Sequence, residues 1–236
     1  MTVKDFDRVI GPPGSFGEPP PPSADLLKTV AGMHPVRTRT RFGAFALVAL
    51  GGLLSAAIAL GHLPLRQDLY ALPTWWVITA AALWGVSFAL SLAAALVPRR
   101  GDVLPAPGRA SRISGIAMAA LLVFAVVATA QAPGASARPE DLHWSLFRSC
   151  VHCIGIVFEI SAVFLLVGLL ALRRLVPMGG ARIGMALGAA GGAMGGLVLT
   201  FICPIAGTAH VVLAHVGGMV LAAAAGALFL WGVARR

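Results

Sequence analysis

The sequence predicts an all-α, polytopic membrane protein: a bundle of six transmembrane helices with both termini in the cytoplasm. Three observations predict it. The 236 residues are 58% hydrophobic and only 11% charged, against about 25% charged in soluble domains, which is too little charge to cover a soluble core. The apolar residues gather into six stretches, roughly 43–62, 74–97, 113–130, 151–172, 182–202 and 211–233. Each is near the ~20 residues that a helix needs to cross about 30 Å of hydrocarbon. Finally, the basic residues alternate from one connecting loop to the next.

Residues 1–42 precede the spans and form the N-terminal cytoplasmic tail; residues 43–236 form the six-helix transmembrane domain. Residues 11–22 (GPPGSFGEPPPP) hold repeated prolines. These remove backbone donors and fix φ, so the segment reads as an extended linker. After it, Ser23 is placed to cap a helix and Asp25 suits the first turn. Leu26, Leu27 and Val30 make one apolar edge, and the helix ends near Gly32 or before Pro35. A helix this short is marginal alone in water. On a proline-rich tether it reads as a peptide that folds as it docks on a partner, or as an interfacial helix on membrane lipid. The candidate partner-binding residues are Leu26, Leu27, Val30, His34, Pro35, Val36 and Arg37.

The first span is read as a true span rather than a leader, because some forty residues precede it. The net charge of +9 is topogenic. Of the 18 Lys and Arg, all but Arg66, Arg138 and Arg148 fall in the tail, in the loops after spans two and four, or at the C-terminus. That is the positive-inside pattern. It leaves no reason to assign a direct nucleic-acid partner. It puts the other loops outside; in a bacterium that is the periplasm, where disulfides persist.

Span four carries Glu159, about 14 Å from its start by helical rise. An ionisable residue at that depth is a functional candidate; pairing with His215, proton conduction and a plain hydrogen bond are its three readings. Span five carries Gly180, Gly184, Gly188, Gly192 and Gly196. Glycine at every fourth position lets a neighbouring helix approach closely, and intramolecular packing is favoured over dimerisation. Oligomeric state is left open.

The chemistry-bearing residues gather at the outer ends of the spans. Cys150-Val151-His152-Cys153 opens span four, Cys203-Pro204 ends span five, His210 follows, and His215 lies inside span six. Cys-x-x-Cys is the spacing of a redox or metal half-site. On a helix its side chains sit about 60° apart, so both can face one neighbour. Thiolates with imidazole favour zinc or another soft metal. The candidate ligands are Cys150, His152, Cys153, Cys203, His210 and His215, with His143 at the margin. Three readings stand: a sensor or metal site, a structural disulfide, and inert buried cysteines. The sequence has no Walker loop, nucleophile elbow or HExxH motif, and we read the chain as a non-enzyme. The alternative is a quinone-linked membrane thiol–disulfide oxidoreductase using the outer Cys-x-x-Cys.

Leu26-Leu27 through His34-Pro35-Val36-Arg37 resembles the entry to helix one in NrsF-like membrane anti-sigma factors. Cys150 followed by Arg173-Arg174-Leu175-Val176-Pro177 is similar to that family's helix four and the loop after it. The glycine-rich helix five ending in Cys203-Pro204, with His215 in helix six, is similar as well. The resemblance covers about residues 25–233. It implies a six-helix protein of the bacterial inner membrane that sequesters an extracytoplasmic-function sigma factor, chiefly through residues 1–42. It also implies release on a redox or heavy-metal signal, with Cys150 and Cys203 as the sensor thiols. Cys153 is an addition to the family pattern, and Ala214 stands where an aromatic residue usually precedes the helix-six histidine.

Overall fold

The computed structural model describes residues 41–97, 107–130, 146–172, 180–205 and 207–234, together with Ser23, Asp25 and Lys28. The chain divides into two units, Met1–Thr38 and Arg39–Arg236. In the first, Asp25 and Lys28 are helical and exposed and Ser23 precedes them outside the helix. The remaining tail positions, including Leu26, Leu27, Val30, His34, Pro35, Val36 and Arg37, lie outside the described residues.

The second unit is helical. Its elements are α1 (Arg41–His62), α2 (Thr74–Leu96), α3 (Pro107–Ala130), α4 (Leu146–Leu172), α5 (Gly180–Ile202), α6 (Thr208–His210), a π-helical turn (Val211–Val216) and α7 (Gly217–Ala234). Six helical stretches are long and apolar enough to cross a membrane; the last runs through α6, the π turn and α7. The described residues contain no strand.

Proline sets several helix ends. Pro73 caps α2 and Pro107 opens α3, where a missing N–H costs nothing. At the other end of α2, Val97 is extended at φ −101° and ψ 112°, as a residue before proline must be. Pro204 likewise stops α5. Cys203 still donates its N–H to the Leu199 carbonyl at 2.9 Å, so its side chain projects from the last helical turn.

α5 is the axis of the bundle. Its span is 78% buried, against 17–44% for the other five, and it packs on α2, α4 and α7. Glycine makes this possible. A Cβ on Gly188 would overlap the Ala222 carbonyl of α7, and a Cβ on Gly195 would lie 2.9 Å from the Val157 Cα of α4. α5 is thus held at backbone contact on two sides. Larger side chains fill the rest: Trp84 of α2 lies over Gly196, and Phe164 of α4 meets Phe88 edge-on at 5.4 Å. Three elements that carry cysteine or histidine therefore converge at one end of the bundle.

Candidate thiol and imidazole site

α4 supplies Ser149, Cys150 and Cys153 to this end; the C-terminus of α5 supplies Cys203; α6 and the π turn supply His210 and His215. All six are buried, and all three cysteines are free thiols. Cys153 donates to Cys203 across a sulfur–sulfur distance of 3.7 Å. Nε2 of His210 lies 3.3 Å from the Cys203 sulfur. Nδ1 of the same ring faces the Ser149 hydroxyl at 3.3 Å and the Cys150 sulfur at 3.7 Å. Cys203 also approaches the Ile205 carbonyl at 3.8 Å.

The π turn brings the two imidazoles together. Five residues along an α-helix turn through about 140°, which would point His210 and His215 to different sides. A turn widened by one residue, in which Gly217 donates to the Val212 carbonyl, brings them to one side. Their rings meet at 5.4 Å, nearly perpendicular. Such π segments recur at functional sites.

Donor atoms of Cys153, Cys203, His210 and His215 all lie within 4.8 Å of one another. Two sulfurs and two imidazoles is a set that suits tetrahedral zinc or a similar soft cation. His215 Nε2 is buried without a hydrogen-bond partner, so part of that ring's bonding capacity is unused by the protein. The donor set therefore fits a metal. It equally fits oxidation, because Cys153 and Cys203 already face each other.

Cys203, just beyond the fifth span, is held below the ordinary thiol range. The hydrogen bond from Cys153 is the largest cause; burial opposes it, and His210 and His215 reinforce it. Cys203 is the thiol best prepared to act as a nucleophile or a metal ligand.

Two cavities flank the group. The larger, about 420 Å³, has Cys153 and Cys203 in its wall beside Ser149, His152, Leu63 and Pro64. The smaller is lined by Arg66, Trp76, Thr200 and His215 among others; Trp76 Nε1 is buried there without a hydrogen-bond partner.

Of the residues singled out in the sequence, Cys153, Cys203, His210 and His215 come together, with Cys150 against the far side of His210. His152 is exposed and lines the larger cavity. Glu159 is exposed on α4, whereas His215 is buried, and the two do not pair. His143 lies outside the described residues.

Sequence reasoning passed over Arg66, noting it only as an outer-loop cation. Its guanidinium is 2% exposed and forks onto Asp68 at 2.6 and 2.7 Å. Its amide donates to the Phe201 carbonyl at 2.9 Å, and its Nη2 reaches the Pro204 carbonyl at 3.4 Å. Arg66 thus ties the α1–α2 loop to both sides of Cys203. The available signal was the spacing Arg66-x-Asp68 in a loop otherwise free of charge. Ser149 was also missed; nothing in the sequence separates it from any other helix-entry serine.

Fold and site together define a helical membrane protein with a buried thiol–imidazole centre at one end of its bundle. The chain belongs to the NrsF family, described as negative regulator of sigma F, whose model matches residues 30–235. It is a negative regulator of a sigma factor. No curated protein and no solved structure matches the chain.

Proposed function

We propose that this protein is an inner-membrane anti-sigma factor with both termini in the cytoplasm. Residues 1–42 hold an extracytoplasmic-function sigma factor at the cytoplasmic face. The thiol–imidazole group at the outer end releases it on oxidation or on binding a soft metal. The observation that carries this reading is the convergence of Cys153, Cys203, His210 and His215 from three parts of the bundle into 4.8 Å. A disulfide there ties α4 to the end of α5, and a metal would tie both to the sixth span through His210 and His215. α5 transmits the change, because its glycine contacts leave no slack between it and α4 or α7. Moving an equilibrium from 1:99 to 99:1 takes ~5.5 kcal/mol, within reach of metal–thiolate bonding.

The family membership supports the sigma-factor partner, and the alternation of basic loops supports the orientation. The test is co-purification. The full chain brings down its sigma factor, and a chain lacking residues 1–42 does not. Retention of the sigma factor by the truncated chain would move the contact to the basic loops. Loss of induction by oxidant or cadmium in Cys203→Ser supports the sensor; unchanged induction removes it.

A further inference from the structure

We propose that the larger cavity admits a membrane-soluble quinone, which oxidises the Cys153–Cys203 pair. This rests on the redox arm of the function proposed above and names the oxidant.

The cavity measures about 420 Å³, within the range of small-molecule sites. Leu63, Ile156, Leu199, Ile202 and Ile205 make its wall apolar. The polar groups in that wall are the two thiols, the Ser149 hydroxyl and the His152 imidazole. Pro64 and His152 are exposed, so the cavity opens at the surface of the bundle. The site lies where α4 begins and α5 ends, at the edge of the apolar spans.

These features select the ligand. An apolar wall excludes charged oxidants such as a glutathione disulfide. A peroxide is small enough to need no cavity of this size. A lipid acyl chain would fill the volume but cannot accept electrons from the two thiols that face each other there. A neutral, planar ring with carbonyl oxygens matches size, polarity and the membrane route. It is also a two-electron acceptor facing a two-electron donor.

The step balances. The S–H bonds of Cys153 and Cys203 break, giving two electrons and two protons, and one S–S bond forms. The quinone takes both electrons and both protons, forms two O–H bonds and departs as hydroquinone. The sulfurs start 3.7 Å apart and close to the ~2.05 Å of a disulfide.

The experiment uses the full chain in liposomes. Tetramethyl-1,4-benzoquinone is the probe, because its substituted ring carbons resist thiol addition. Hydrogen peroxide is the comparison oxidant. Intact-mass and peptide analysis should show loss of two hydrogens at Cys153 and Cys203, with no quinone adduct, and hydroquinone in equal amount. Leu63→Trp, which fills the cavity, should lower the ratio of quinone rate to peroxide rate by about tenfold, the scale on which apolar pockets discriminate size. The redox-silent 1,4-dimethoxytetramethylbenzene, of similar shape, should slow quinone oxidation of the unaltered chain and leave peroxide oxidation unchanged. That second arm needs no variant to fold.

If peroxide closes the pair but the quinone does not, the quinone inference is overturned and the redox reading stands. An unchanged ratio in Leu63→Trp, together with no competition by the silent analogue, overturns it as well, as does a co-purifying lipid chain that the quinone cannot displace. If neither oxidant closes the pair, the redox reading falls and the inference with it.

Discussion

His210 presents Nε2 to the Cys203 sulfur at 3.3 Å, and its opposite nitrogen faces Ser149 and Cys150. One imidazole thus spans the junction between the end of α5 and the start of α4. It separates Cys150 from Cys203 and leaves Cys153 as the direct neighbour of Cys203.

That geometry predicts which disulfide forms. Mild oxidation with diamide should join Cys153 to Cys203, read by peptide mapping. Cys150→Ser should keep the cross-link and Cys153→Ser should lose it. A cross-link through Cys150 in the unaltered chain would show that the bundle rearranges before it oxidises.

Metal binding follows from the same atoms. Cadmium or zinc should bind the reduced protein at one equivalent, with thiolate charge-transfer absorption in the cadmium form. His210→Ala and Cys153→Ser should each weaken binding by about 100-fold, the upper end of losses seen even for groups around a metal site. Affinity should fall as pH is lowered, because thiols and imidazoles must shed protons to bind. Full affinity in both variants would move the site elsewhere. Prior oxidation should abolish binding, since it consumes two of the four donors.

Arg66 and Asp68 should matter to Cys203 without touching its chemistry. Asp68→Asn leaves a buried guanidinium without its counter-charge, a loss of about 3 kcal/mol. Thermal unfolding in detergent reads the stability, and the alkylation rate of Cys203 reads the local opening. Arg66→Lys should behave like Asp68→Asn, because an ammonium cannot fork onto the carboxylate and still reach the Pro204 carbonyl. Unchanged stability and unchanged alkylation in both would show that the fork is incidental.

Gly188→Leu should pry α5 from α7. Overpacking of a tight contact costs about 1–3 kcal/mol, and here the obstacle is the Ala222 backbone rather than a movable side chain. The expected result is a lower melting temperature, together with weaker cadmium binding as the histidines part from Cys203. Gly232→Leu on α7, where a Cβ meets nothing within 4 Å, is the control.

Topology is testable by reporter fusion. Alkaline phosphatase joined after residue 70 or within 131–145 should be active, and the same reporter within 98–106 or after residue 234 should be inactive. The reverse pattern would put the thiol end in the cytoplasm and remove the argument from an oxidising compartment.

The six spans were legible because crossing hydrocarbon demands an apolar run, and a run is a property of sequence alone. α3 and α4 extend beyond the expected 113–130 and 151–172, to Pro107–Ala130 and Leu146–Leu172, because helices continue past the apolar core into polar entry turns. The glycine spacing foretold a close helix contact, and both α7 and α4 provide it on neighbouring faces of α5.

The sequence by itself determined that Cys150, Cys153, Cys203, His210 and His215 share one end of the bundle. An even number of crossings separates the end of span five from the start of span four, and no packing detail is needed. It also determined the family resemblance that the match over residues 30–235 established. The tertiary structure alone decided the rest: that Cys153 rather than Cys150 faces Cys203, that Glu159 points outward, and that Arg66 is buried behind Asp68. The reason is angular. Hydropathy fixes where along the membrane normal a residue sits, but in uniformly apolar helices it says little about rotation around the helix axis. Rotation here is set by glycine contacts along α5 and by one widened turn after His210, and both exist only once the helices have packed.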